Sequence, residues 1–180
     1  MSPPRLAILT GRSDPLRTGL PGPQAAFIAA VTRPGLVAVQ DGYPWIGSPP
    51  EEPVPLPLAA WRNAAQWRDA RTGAARAEVT TRLRALAPSV LITGSCGLDL
   101  LHCGWEEGPC RLVIALGPVM ARRPSWPGVR LVTVIGRRDL VSRSLHPRGP
   151  DISVPCGHMG YWTCPQTRAA VASVLKDWMP

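Results

Sequence analysis

The chain has 180 residues, of which 45% are hydrophobic, and its formal net charge is +8. This length and composition fit a single globular domain over residues 1–180 and exclude a chain that is mostly disordered. The positive charge comes almost entirely from scattered arginines, because Lys176 is the only lysine. There is no dense basic run with interleaved aromatic residues, so we expect no nucleic-acid partner. The charge suits an anionic small-molecule or carrier-linked substrate equally well.

The sequence shows no sign of a membrane or secretory segment. No apolar run reaches the roughly 18 residues that a membrane-spanning helix requires, and the first apolar run, RLAILT, is too short for a secretory signal. We therefore expect no membrane partner and a cytoplasmic location. The five cysteines form an odd set whose spacing fits no common zinc pattern, so we expect neither a disulfide framework nor a metal site.

Short apolar runs alternate along the chain with longer segments of helical character. The predicted strands are residues 5–10, 36–40, 89–93, 111–116, 129–135 and 151–155. The predicted helices are a segment from Gly22 that stops at Pro34 and Gly35, a long helix from Leu58 to about Ala87, a short segment at 98–103, and residues 165–179. Residues 41–57 are rich in proline and glycine and predict an irregular loop.

Continuous apolar strands that alternate with helices are typical of a parallel sheet covered on both faces. The sequence therefore predicts a three-layer α/β sandwich with a mostly parallel sheet of about six strands.

The segment LITGSCGLDLL places a tight turn between the third predicted strand and a short helix. A nucleophile on such a turn needs small residues two positions before and after it, because the strand and the helix approach each other closely. For Ser95 these residues are Thr93 and Gly97, whereas for Cys96 one of them is the large Leu98. The spacing favours Ser95, and Cys96 is the alternative nucleophile. The same turn also fits an ordinary connection between a strand and a helix.

Two further polar residues follow later strands. Asp139 comes after the fifth predicted strand through a short GRR turn, and His158 comes after the sixth through a glycine. Each also has an ordinary interpretation, as a solvated turn aspartate or a structural histidine. Because the carboxyl ends of parallel strands meet at one edge of a sheet, we expect Ser95, Asp139 and His158 to converge there.

The order of these residues resembles the α/β-hydrolase family over nearly the whole chain. TGSCG is similar to the small-x-Ser-x-Gly elbow of that family, IGRRDLVSR to its acid turn, and CGHMGYW to the loop that carries its histidine. RLAILTGRSD resembles the strand that ends in the oxyanion loop, and GLVAVQDGYPWIGSP resembles the strand and loop that follow. The chain departs from the family at Thr93, where glycine is usual, at Thr10, where histidine is common, and in lacking the first two strands and a lid.

The resemblance implies a serine hydrolase that cleaves an ester or thioester through an acyl-enzyme intermediate, with Ser95, Asp139 and His158 as its catalytic residues. It implies that the backbone N–H groups of Arg12 and Cys96 form the oxyanion hole, and that no metal or organic cofactor is needed. Without a lid the substrate pocket is open, and the residues expected to line it are Gly11, Tyr43, Trp45, Met159 and Tyr161.

Two alternatives stay open at this point. An acyltransferase would use the same residues and differ only in the nucleophile admitted to the acyl-enzyme. A degenerate hydrolase fold that binds a ligand without catalysis would keep the architecture while at least one of the three residues points away. Because the absent strands leave one edge of the sheet unpaired, we expect that two copies of the protein can form a homodimer.

Overall fold

The computed structural model of the protein describes residues 3–11, 20–39, 55–69, 72–120 and 122–178. Within these ranges the strands are β1 (Arg5–Thr10), β2 (Val37–Val39), β3 (Val90–Gly94), β4 (Leu112–Leu116), β5 (Arg130–Gly136) and β6 (Ile152–Val154). The helices are α1 (Gly22–Val31), α2 (Leu56–Asp69), α3 (Gly73–Leu86), α4 (Gly97–Cys103), α5 (Leu140–Leu145) and α6 (Pro165–Trp178).

The strands form one sheet in the order β2-β1-β3-β4-β5-β6, and every neighbouring pair is parallel. The predicted fold class is confirmed. The chain order runs outward from β1 in both directions, since β2 lies on one side of β1 and β3 on the other. Connections that leave in opposite directions open a crevice at the carboxyl ends of the central strands.

Helices cover both faces of the sheet, and successive residues of each strand point to opposite layers. On one face Leu6 and Ile8 of β1 pack in an apolar cluster with residues of α1 and α6. On the other face Ala7 and Leu9 pack in a second cluster with residues of α3 and α4. Because both faces are buried, the central strands are apolar throughout.

The predicted long helix from Leu58 to about Ala87 is wrong in one respect, because the structure has two helices there. α2 ends at Asp69 and α3 begins at Gly73. The Thr72 N–H donates to the Asp69 carbonyl at 2.8 Å, as in a tight turn. Threonine and glycine are both weak helix formers, which explains why the helix breaks at this point.

Residues 41–54 of the predicted irregular loop lie outside the described residues. None of the helices in the described ranges is long and apolar enough to span a membrane. The edge strand β2 leaves Val37 exposed.

Gly97, the first residue of α4, allows the helix to sit directly on β1. A β-carbon at this position would collide with the carbonyl oxygen of Leu9, which is main chain and cannot swing away. We therefore expect Gly97→Ala to lower the free energy of unfolding by about 1–3 kcal/mol, the usual cost of overpacking. Urea unfolding measures this change.

Gly22→Ala is the matched control, because a β-carbon at Gly22 has no neighbour within 4 Å. Its effect should stay within about 0.5 kcal/mol, as for other surface substitutions. Equal losses in the two variants would contradict the close approach of α4 to β1.

Candidate active site

Ser95 lies on the sharp turn between β3 and α4. Its φ of 51° is in the left-handed region, which is unfavourable for a residue with a side chain. Two backbone hydrogen bonds hold this conformation: the Ser95 N–H donates to the Leu116 carbonyl at 3.1 Å, and the Ser95 carbonyl accepts from the Val119 N–H at 3.1 Å. The exit of β4 thus fixes the turn and leaves the Ser95 side chain partly exposed.

The tightest contact of the turn falls at Gly97, two residues after Ser95. This is the spacing that a nucleophile at Ser95 requires. Thr93, two residues before Ser95, is buried at the end of β3, where its small side chain fits between the layers.

The structure brings Ser95, His158 and Asp139 together at the carboxyl edge of the sheet. The Ser95 Oγ lies 3.2 Å from His158 Nε2. On the other side of the ring, His158 Nδ1 lies 2.9 Å from Asp139 Oδ2. The three side chains therefore form one continuous chain of hydrogen-bonding contacts.

Asp139 has no exposed surface, so every hydrogen bond to its carboxylate comes from the protein. The Ser142 N–H donates to Oδ1 at 3.0 Å, and the Tyr161 hydroxyl donates to Oδ2 at 2.6 Å. Burial alone would raise the pKa of Asp139, but the bonds from His158, Ser142 and Tyr161 outweigh it and hold the pKa well below its usual range. The carboxylate is therefore ionised at neutral pH.

An ionised Asp139 decides the direction of the neighbouring hydrogen bonds. A carboxylate only accepts, so Nδ1 of His158 must carry the proton that points at it. In the neutral ring Nε2 is then an acceptor, and it faces the Ser95 hydroxyl. This is the arrangement in which a histidine can take a proton from a serine.

Sequence reasoning missed α5 and with it Ser142. Asp139 is the N-cap of this helix, and its side chain accepts from the N–H of the third helical residue. An aspartate shortly after a strand was an available signal, because aspartate is a favoured N-cap. The Ser142 Oγ also lies 3.5 Å from His158 Nδ1.

Tyr161 lies in a different place from the one expected for a pocket residue. Only 3% of its surface is exposed, and its hydroxyl is between Asp139 and the backbone of Gly136, whose N–H donates to it at 2.7 Å. Its aromatic ring is 6.5 Å from that of His158 in a T-shaped arrangement. Tyr161 is thus a buried hydrogen-bond donor to the Asp139 carboxylate.

Of the other expected site residues, two are described by the structure and three lie outside the described residues. Gly11 is buried directly after β1, next to the turn, because Thr10 pairs with Gly94 in the sheet. Met159 follows His158 and is 69% exposed. The remaining ones, Arg12, Tyr43 and Trp45, lie outside the described residues.

Cys96 is buried in the apolar layer formed with α3 and α4, and 3% of its surface is exposed. Burial raises the pKa of its thiol to about 12. A thiol in this state is neutral and a poor nucleophile. Both observations argue against Cys96 as the alternative nucleophile.

Over the described part of the chain, no group of three histidine, cysteine or acidic side chains is arranged to hold a metal ion. None of the five cysteines, all of which lie in the described ranges, forms a disulfide.

No family model matches the sequence, and no curated protein matches it. Solved structures do match. A protein from Xanthomonas campestris pv. campestris, assigned to the hydrolases of the α/β superfamily, superposes with a TM-score of 0.58 at 18% identity, over 97% of this chain and 99% of that one.

Two further structures are similar. The esterase PE8 gives a TM-score of 0.57 at 14% identity, over 99% of this chain and 94% of its own. A protein from Xanthomonas campestris, described as an α/β serine hydrolase without a lid, gives 0.50 at 14% identity, over 100% and 84%. The chain therefore has the α/β-hydrolase fold. β4 ends at Leu116 and β5 begins at Arg130, so the connection between these two strands is short.

The burial of Cys96 predicts which cysteines react in the native protein. Burial raises the pKa of Cys96 to about 12 and that of Cys110 to about 11. For Cys164, burial acts in the same direction, but hydrogen bonds from Thr167 and Gln166 outweigh it and lower the pKa. We expect a maleimide at mildly alkaline pH to label Cys164 first and to spare the two buried thiols, as read by peptide mass spectrometry.

Labelling in urea is the control, because all five thiols should then react. Rapid native labelling of Cys96 would contradict its buried position and reopen it as a nucleophile.

The lowered pKa of Asp139 predicts acid sensitivity. The unfolded chain takes up this proton near pH 4 (about 3.9 for a free aspartate), whereas the native protein does so only at lower pH. The stabilising contribution is therefore complete above about pH 5 and is lost as the pH falls. We expect Asp139→Asn to be less stable at neutral pH and to show a flatter acid dependence of the free energy of unfolding.

Asp151→Asn is the comparison for this experiment. Burial alone would raise the pKa of Asp151, but bonds from Arg123 and Thr133 lower it, so this carboxyl group contributes its own part of the slope. An acid slope in Asp139→Asn as steep as in the wild type would contradict the ionised state of Asp139.

Proposed function

We propose that the protein is a serine hydrolase that cleaves an ester or thioester through an acyl-enzyme intermediate. The observation that carries the proposal is the chain of contacts from the Ser95 Oγ through His158 to a buried, ionised Asp139. This chain begins on a backbone turn held in a left-handed conformation, at the edge of the sheet where α/β folds place their sites.

In the first half-reaction the Ser95 Oγ attacks the carbonyl carbon while His158 Nε2 takes its proton. The bond from Nδ1 to Asp139 holds the ring in the required tautomer and stabilises the imidazolium that forms. We expect the Cys96 N–H at the start of α4 to bind the oxyanion. The second donor expected from the sequence, the Arg12 N–H, lies outside the described residues. His158 then returns the proton to the leaving alkoxide or thiolate.

In the second half-reaction a water molecule gives a proton to His158 Nε2 and attacks the acyl carbon. The tetrahedral intermediate collapses, the carboxylic acid leaves, and the proton returns to the Ser95 Oγ. An acyltransferase would differ only in admitting an alcohol, amine or thiol at this point.

The surroundings of the site favour an acyl substrate. Three of the exposed large apolar side chains lie within two residues of the acid or the histidine in the chain: Leu140 (77% exposed), Val141 (50%) and Met159 (69%). Exposed apolar side chains close in the chain to these residues are suited to contact an acyl chain. The net charge of +8 would attract an anionic carrier-linked or CoA-linked form of it.

The convergence of all three residues supports an enzyme over a degenerate binding module, in which at least one of them would point away. The esterase and the serine hydrolase among the structural neighbours share the fold of this chain, and that likeness supports the same class of chemistry.

We expect Ser95→Ala to fold normally and to lose about 10⁴-fold or more of the turnover of an activated ester or thioester, because the attacking atom is removed. A fluorophosphonate probe should form an adduct on the Ser95 peptide of the wild type, detected by mass spectrometry. The adduct should be absent in Ser95→Ala and strongly reduced in His158→Ala.

Ser144→Ala is the matched control, because this exposed serine on α5 donates to the Val141 carbonyl, within its own helix, and should keep both labelling and turnover. Undiminished turnover in Ser95→Ala would refute the assignment. Adding an alcohol or thiol acceptor to the wild type distinguishes hydrolysis from acyl transfer by the product formed.

A further inference from the structure

The hydroxyl of Tyr161 connects the acid of the site to the end of strand β5. It donates to Asp139 Oδ2 at 2.6 Å and accepts from the Gly136 N–H at 2.7 Å. A backbone N–H can only donate, so the Gly136 bond occupies the phenol oxygen and commits its hydrogen to the carboxylate. The direction of the Tyr161 hydrogen bond is therefore fixed by the backbone.

Residues from three chain segments surround the hydrogen bond between Tyr161 and Asp139. Gly117, after β4, has a φ of +53°, and a β-carbon there would collide with the Tyr161 ring and lie 2.9 Å from Asp139 Oδ2. Gly136 ends β5, and Tyr161 itself follows β6. The ring is buried, so the hydroxyl cannot be replaced by bulk water.

Tyr161 and His158 donate to the same oxygen, Oδ2, whereas the Ser142 N–H donates to Oδ1. Each donor on an oxygen withdraws electron density from it, so the strength with which Asp139 binds a protonated imidazole depends on Tyr161.

We propose that Tyr161 is a positioning residue that keeps Asp139 deprotonated and moderates the hold of its carboxylate on His158. The inference deepens the proposed function and rests on it where turnover is concerned. The hydrogen bonds then form one series that converges on the Asp139 carboxylate from two sides. On one side the Gly136 N–H donates to Tyr161, which donates to Asp139; on the other the Ser95 hydroxyl donates to His158, which donates to Asp139. Tyr161 acts through Asp139 and touches no reacting atom.

The titratable groups around this series are few in the described part of the chain. Asp139 interacts with His158, Tyr161 and the Cys156 thiol, and Tyr161 interacts with Asp139 and Cys156. Burial, followed by the Asp139 carboxylate, raises the pKa of Tyr161 far above its usual range, so the phenol stays a neutral donor. Burial also raises the pKa of Cys156, which keeps that thiol neutral.

The test is Tyr161→Phe, which keeps the ring and removes the hydroxyl. With one donor fewer, Oδ2 binds the protonated imidazole more tightly. The midpoint at which the His158 ring signals titrate by NMR should then move to higher pH, and the acidic limb of kcat/KM should move with it. A purely structural role would lower the rate equally at every pH and leave the midpoint where it was.

A fluorinated tyrosine provides a second variant that preserves packing. The chain has only two tyrosines, Tyr43 and Tyr161, so global incorporation labels two sites. A more acidic phenol is a stronger donor, and the His158 midpoint should move to lower pH, opposite to Tyr161→Phe. Tyr161→Phe carrying the label only at Tyr43 is the control and should match unlabelled Tyr161→Phe.

A double-mutant cycle with Asp139→Asn shows whether Tyr161 acts through the acid, because adding Tyr161→Phe to that variant should cause no further shift. Unchanged midpoints in both tyrosine variants would overturn the inference. The NMR readout does not depend on turnover. If the His158 midpoint shifts but the protein shows no hydrolysis, the proposed function is refuted and the role of Tyr161 stands. If the protein hydrolyses its substrate but the midpoint does not shift, the role of Tyr161 is refuted and the proposed function stands.

Discussion

A carboxylate that has no contact with water must obtain all of its hydrogen bonds from the protein, and Asp139 is such a group. The Ser142 N–H, the Tyr161 hydroxyl and His158 Nδ1 supply them from α5 and from the loop between β6 and α6. Leaving a buried charge unpaired is among the costliest defects in a fold. The ends of β4, β5 and β6 are therefore arranged around this one group, and the orientation of His158 follows from it.

The opposite end of the site depends on backbone geometry instead of charge. The unfavourable φ of Ser95 persists because the exit of β4 bonds to it on both sides, and because α4 packs so closely on β1 that only glycine fits at position 97. Strain of this kind is kept where the surrounding structure determines the conformation, which is common at functional sites. Ser95 is thus held in its position beside His158 by the ends of the central strands.

The two ends meet at His158, which lies in a loop with glycine on either side of its short HM segment. The His158 side chain is 25% exposed, whereas Asp139 behind it is fully buried. This gradient suits a group that exchanges protons with substrate on one face and is held by a fixed charge on the other. Cys96, which the sequence suggested as an alternative nucleophile, is buried in the apolar layer with residues of α3 and α4.

Local patterns in the sequence determined the class of the fold and the positions of its strands along the chain. Apolar runs without alternation indicated a sheet covered on both faces, and all six predicted strands are present. The spacing of Thr93, Ser95 and Gly97 also favoured the serine over the cysteine. These features are readable from sequence because strand burial and turn geometry act on residues close together in the chain.

Only the tertiary structure decided what surrounds the acid. Tyr161 and Asp139 are separated by the whole of β6, and no periodicity relates a phenol to a distant carboxylate, so the sequence placed Tyr161 in a substrate pocket. Gly117 contributes through a left-handed φ and a close approach that its neighbours in the chain do not reveal. The break between α2 and α3 was likewise hidden, since propensity at Thr72 and Gly73 is too weak a signal by itself. Contacts that cross between strand ends arise from the packing of the sheet, and it is this packing that turns three separate polar residues into one connected site.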